Sequence, residues 1–151
     1  MLRLSRKALY AIEAVLDIAM HARGRPVQSR EITERQNIPR RYLEPALQAL
    51  VREGLLVGVR GPRGGYSLGR ERRRITVGEI ARIVSATEAA GDPLEEESGS
   101  ELGHEIVRPL CREAIEEVMA RLDRVTLEEL CARARQERLA PKRDATTDFV
   151  I

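Results

Sequence analysis

The apolar residues change period once, just after Gly54, and that change leaves few folds open to the chain. Downstream, Leu55-Leu56-Val57-Gly58-Val59 reads as a strand. Arg60-Gly61-Pro62-Arg63-Gly64-Gly65 is turn chemistry, and Tyr66-Ser67-Leu68 reads as a returning strand. A single hairpin is at best marginally stable alone, so it must lean on what precedes it. Upstream the spacing is helical. Ser5 caps a helix from about Arg6 to His21, with Ala8, Leu9, Ile12, Val15, Leu16, Ala19 and Met20 expected inward. Gly24, Arg25 and Pro26 end it. Ser29 is expected to cap a short helix, Arg30 to Gln36, that buries Ile32, and Asn37-Ile38 makes a turn. Pro39 is expected as the first residue of a third helix reaching Glu53, with Tyr42, Leu43, Ala46, Leu47, Leu50 and Val51 inward. Pro45 falls in its first two turns, where fewer backbone bonds are lost than in mid-helix.

After the hairpin, Thr76-Val77-Gly78-Glu79 matches a capping box that opens a helix burying Ile80, Ile83 and Val84. Gly91 to Ser100 is polar and acidic and is expected to be a mobile linker. A long helix from Leu102 or Glu105 to Arg124 carries Ile106, Leu110, Ala114, Val118 and Leu122 at every fourth position, with Val107, Cys111 and Ile115 broadening the stripe. Thr126-Leu127-Glu128-Glu129 opens a last helix. The fold class is therefore mainly α, with units at 1–87, 88–103 (acidic linker), 104–139 (long helix and short last helix) and 140–151 (flexible tail). With three Tyr, one Phe and no Trp, the core must be aliphatic, and an aromatic cage or base-stacking sheet is excluded. No apolar run approaches the roughly 18 residues of a membrane span, and Met1 to Lys7 lacks the apolar core of a leader. Two cysteines twenty residues apart make no disulfide framework, so a cytoplasmic setting is expected.

The net charge of +2 hides an asymmetry. Residues 1–75 hold sixteen basic and seven acidic residues, and residues 76–151 hold ten and seventeen. A basic module joined to an acidic one points to nucleic acid. Two short helices with a tight turn, followed by a hairpin with a Gly-rich tip, make a winged helix-turn-helix. The second short helix enters the major groove, and the tip reaches phosphate or the minor groove. Its exposed side offers Arg40, Arg41, Glu44, Gln48 and Arg52, and the tip offers Arg60 and Arg63. Arg reads guanine, Gln adenine, and Glu accepts from a cytosine amine. No nucleophile–base pair or carboxylate pair is evident, and Gly61 to Gly65 precedes a strand rather than the helix a phosphate loop needs, so an enzyme is not expected.

The chain resembles the IscR-type winged-helix regulators, the group that includes NsrR, RirA and CymR. The resemblance is carried by Tyr10-Ala11, by Ile38-Pro39-Arg40-Arg41-Tyr42-Leu43-Glu44, and by Val59-Arg60-Gly61-Pro62-Arg63-Gly64-Gly65-Tyr66-Ser67-Leu68. Ile75 to Ile80 and Val125 to Leu130 match further blocks. It implies a transcriptional regulator, expected to be a repressor, that binds a palindromic operator in double-stranded DNA as a homodimer. DNA contacts would fall on Pro39, Arg40, Arg41, Tyr42, Glu44, Gln48, Arg60, Arg63 and Gly64. Dimerisation would use Ile106, Leu110, Cys111, Ala114, Val118 and Leu122. Pro39 and Arg41 stand where small polar residues are common in the family, so the base preference is this chain's own.

Many members of the group hold an iron–sulfur cluster on three Cys in the segment before the dimer helix. Here Glu88 to Gly103 has no Cys. His104 and Cys111 are seven residues apart, roughly 10 Å along a helix and too far to share a metal within one chain. Cys111 and Cys131 are expected to be core residues, and His21 to favour the end of its helix. No cofactor is therefore expected. The alternatives are a redox or iron sensor with a mixed site of His104, Glu105 and Cys111 across the dimer, and a winged-helix interaction module without specific DNA binding. The second does not require Arg60 or a basic third helix. The effector, if a small ligand or a partner protein acts on the acidic half, is left open.

Overall fold

The computed structural model describes residues 4–88 and 91–137. Met1 to Arg3 and the expected tail, 140–151, lie outside the described residues. The helices are α1 (Arg6–His21), α2 (Ser29–Gln36), α3 (Arg40–Arg52), α4 (Val77–Ser85), α5 (Arg108–Asp123) and α6 (Leu127–Gln136). Strands β1 (Leu56–Val59) and β2 (Gly65–Leu68) pair antiparallel, with Leu56 opposite Leu68 and Val59 opposite Gly65. The chain is mainly helical with one hairpin wing and a long helix near its C-terminal end, as the periodicities require.

Helix α1 touches α2, α3, α4, α6 and β2. Being packed on several sides, it buries small residues where neighbouring backbones come close. Ala8, Ala11, Ala14, Val15 and Ile18 are fully buried, Leu9 is 47% exposed, and Ile12, Leu16 and Met20 are half-buried. The inward face is thus rotated from the expected one. Tyr42 and Val51 of α3 are likewise half-buried, while Leu43, Ala46, Leu47, Ala49 and Leu50 are buried.

Asp17 is the buried charge of α1. Arg35 donates to both its oxygens, Nε at 2.9 Å and Nη2 at 2.8 Å, and Gln36 Nε2 donates to it at 2.8 Å. The Asp17 bond raises the Arg35 pKa, so that guanidinium stays charged. The His21 ring nitrogen Nδ1 lies 2.8 Å from the Asp17 carbonyl oxygen and 3.5 Å from its carboxylate. The last turn of α2 is therefore clamped to α1 just before Asn37, whose φ of 54° turns the chain into α3.

Two caps differ from expectation. Ser29 begins α2 rather than capping it, because the Glu31 carboxylate reaches back to accept from the Gln28 N–H at 2.8 Å. Pro39 caps α3 and Arg40 is its first residue; the Pro39 carbonyl accepts from Tyr42 and Leu43 N–H.

Helix α6 does not pack as a unit with α5. Val77 N–H donates to the Val125 carbonyl at 2.9 Å and Leu127 N–H to the Ile75 carbonyl at 2.8 Å, pairing Thr76 with Thr126. Leu127 and Cys131 then join the core around α1. The core therefore draws on both ends of the chain, and the expected grouping of α6 with the long helix gives way. Arg82 pairs with Asp123 where α5 meets α4 and holds that carboxyl below its usual pKa. The acidic segment, expected to be mobile, forms a turn at Pro93–Glu95 and lies against α5. Cys111 is half-buried rather than core, because α5 has no fully buried residue.

Candidate nucleic-acid interface

An open groove of about 880 Å³ runs between the start of α2, the second half of α3 and the wing. Beside it, Val27, buried in the core, ties the wing to the domain. Its N–H donates to the Tyr66 carbonyl at 2.9 Å and its carbonyl accepts from Tyr66 N–H at 2.7 Å, so a third strand residue holds the wing to the domain. At the tip, Gln28 Nε2 donates to the Pro62 carbonyl at 3.2 Å. Gly64 closes the turn by donating its N–H to the Gly61 carbonyl at 2.9 Å. It is buried, and a side chain there would strike the backbone of Val59 and Gly61. Its expected DNA contact thus gives way to shaping the tip.

The remaining expected contacts are accessible. Pro39, Arg40, Arg41, Gln48, Arg60 and Arg63 are exposed, and Tyr42 and Glu44 are half-buried. Arg40 donates to Glu44 at 3.0 Å. An exposed pair of this kind contributes little and can be exchanged for a phosphate or a base. Among the described residues, Arg41, Arg52, Arg60 and Arg63 make no ion pair within the chain. The Arg41 guanidinium lies 4.8 Å from the centre of the Tyr42 ring, and that ring lies 5.5 Å from Tyr10 of α1. A cation over an aromatic face is held by the ring quadrupole, so α1 supports the start of α3 through two rings in tilted contact, 48° between their planes. Tyr66 lines the groove; burial, and then the nearby Glu44, push its hydroxyl pKa up, which keeps it a donor.

The start of α2 also lines the groove, through Gln28, Ser29 and Arg30. Sequence reasoning assigned these residues no contact. The signal available was the helix start itself, whose free N–H groups favour an anion. An α-helix about 10–12 Å across fits a major groove about 12 Å wide.

Away from the groove, α5 and the π-helical turn before it, Gly103–Val107, carry two apolar faces. Cys111, Ile115, Met119 and Leu122 are half-buried on one. Ile106, Leu110 and Val118 are 61%, 64% and 53% exposed on the other, with Ala114 among them. The expected dimer residues thus divide, and Cys111 and Leu122 belong to the half-buried set.

The donor set for a metal is thin. His104 and Cys111 are a full seven residues apart, Cys131 is 1% exposed in the core, and Glu105 faces solvent. Among the described residues, no three His, Cys, Asp or Glu side chains of one chain come together to hold a metal ion. No helix among the described residues is long and apolar enough to cross a membrane.

Residues 4–133 match the model of a family described as Rrf2, iron-dependent transcriptional regulator. The chain is 38% identical over 132 residues to the HTH-type transcriptional regulator IscR of Xenorhabdus nematophila, an alignment covering 85% of this chain and 79% of that one. It is 34% identical over 146 residues to IscR of Pectobacterium atrosepticum, covering 97% and 89%. Among solved structures it is similar to CymR, the global cysteine regulator of B. subtilis. That match has a TM-score of 0.65 and 31% identity, and covers 88% of this chain and 98% of that one. It is also similar to T. potens IscR, with a TM-score of 0.68 and 28% identity, covering 98% and 97%.

Proposed function

The chain belongs to the Rrf2 family of DNA-binding transcriptional regulators and is not an enzyme, and from that premise we propose that it acts as a homodimeric repressor on a two-fold symmetric operator without an iron–sulfur cluster. The observation that carries this reading is the groove between α3 and the wing, with Arg41, Arg52, Arg60 and Arg63 on and beside it left without acidic partners among the described residues. In the proposal, Pro39, Arg40, Arg41, Tyr42, Glu44 and Gln48 face base edges. Arg60 and Arg63 reach the flanking backbone, and Gln28 to Arg30 meet a phosphate at the start of α2. Ile106, Leu110, Ala114 and Val118 form the seam between two copies, which removes an exposed apolar row from water. Occupying a promoter site is enough to repress. The family description names iron, but a cluster needs about four ligands, usually thiolates. The chain has two Cys, of which Cys131 is buried. A mixed site of His104, Glu105 and Cys111 across the dimer has no supporting geometry within the chain.

The test is operator binding against salt. If each half makes several phosphate contacts, affinity falls about 10³-fold or more between 50 and 200 mM salt. Arg60→Ala should lower the slope of that dependence by about one contact per protomer if Arg60 meets phosphate. Arg41→Ala or Glu44→Ala should instead relax base preference, by about 1–3 kcal/mol per lost base contact. A flat salt response, or three variants that bind like the parent, overturns the assignment.

A further inference from the structure

The segment before α5 is acidic, yet it is folded, and the side chains that fold it are cations. Arg108 stands at its centre. Its Nη2 donates to the Ser98 carbonyl at 2.6 Å, and its Nη1 donates to the Glu96 carbonyl and lies 3.2 Å from His104 Nδ1. One helical turn on, Arg112 Nη2 donates to the Leu94 carbonyl at 3.2 Å and to Glu95 Oε1 at 3.1 Å. Most of these acceptors are main-chain carbonyls, so the arginines fix the path of the backbone and do more than neutralise carboxylates.

Two further features fit the same arrangement. Gly99 has φ of 129°, and a side chain there would come within 2.8 Å of Arg108 Nη2. Glycine lets the loop hold this positive φ and pass close to the guanidinium. The helix also enters α5 through the π turn Gly103–Val107, in which Arg108 N–H bonds to the Gly103 carbonyl. Pro109 explains that turn, since it has no N–H and its ring presses on the carbonyl four residues back.

The family is described as iron-dependent, but here the middle of the segment holds a guanidinium. That group stays protonated, has no lone pair to offer a metal, and repels a cation. We infer that Arg108 and Arg112 take the place of a metal: they clamp residues 92–104 onto the start of α5 and hold the entry to the dimer helix in a conformation independent of iron. The inference rests on the proposed role of α5 as the dimer helix, but the clamp itself is a property of one chain.

Hydrogen–deuterium exchange on the full chain tests it, because Leu94, Glu95, Gly103 and His104 N–H groups are all bonded within the segment. Protein treated with a chelator, and protein made anaerobically with ferrous iron and sulfide, should protect residues 94–104 equally. Arg108→Gln should exchange there about tenfold faster or more, as bonds to a charged group are lost. Gly99→Val, which keeps the arginine but blocks its approach, should do the same. Amides of α3 serve as the folding control and should not change in either variant. Protection that persists in both variants, or that arises in the parent only with iron, overturns the clamp. A parent that fails to dimerise but loses protection on Arg108→Gln would overturn the dimer reading and leave the clamp standing.

Discussion

Val118→Asp should convert the protein to a monomer that keeps its fold and loses its operator. Val118 is 53% exposed in the single chain, so the charge stays hydrated there and the melting curve should hardly move. In a dimer seam the same carboxylate would be buried without a partner, at a cost of several kcal/mol. Losing the link between two half-sites lowers affinity by about 10²–10⁴-fold. Sedimentation and operator titration check both halves of the expectation. A dimer with parental affinity would move the interface off this face of α5.

Asp17→Ala should have the largest effect on stability. The Asp17 side chain is fully buried and takes three bonds from Arg35 and Gln36. Removing it leaves Arg35, whose side chain is 30% exposed, without its acceptor. Breaking a buried pair costs about 3–5 kcal/mol, and the partial exposure of Arg35 places this case near 3. For a chain of this size that is roughly a 6–12 °C fall in Tm. Pairing the change with Arg35→Met should recover much of the loss, since an apolar replacement strands no charge. Urea unfolding measures both, and a loss below about 1 kcal/mol for Asp17→Ala alone would show that the clamp does not hold α2 to α1.

The elements were more legible than their neighbours. The hairpin from Leu56 to Leu68 and helices α1, α3 and α4 follow from period and punctuation, because those signals are local. Val27 was not legible: a single bridging residue has no period of its own. Asp17 sits on a helix face otherwise read from apolar residues, and its partners are 18 and 19 residues away. The capping box at Thr126 announced α6 but not where it docks, since an apolar stripe says that a face is covered and not by what. The stripe on α5 is wide enough for two faces, and spacing alone does not separate half-buried Cys111 from the exposed row of Ile106, Leu110 and Val118. Of the interface, the arginines of α3 and the tip were visible as charge and turn chemistry. The start of α2 joins them only through tertiary pairing of Val27 with Tyr66.

Selection of bound duplexes from random sequence by chelator-treated protein tests the central claim most directly. The expected product is a two-fold symmetric site whose half-sites lie about 34 Å apart, or a multiple of that, as two copies of α3 in successive major grooves require. Enrichment of sites without symmetry, or enrichment that occurs only after loading with iron and sulfide, would contradict it.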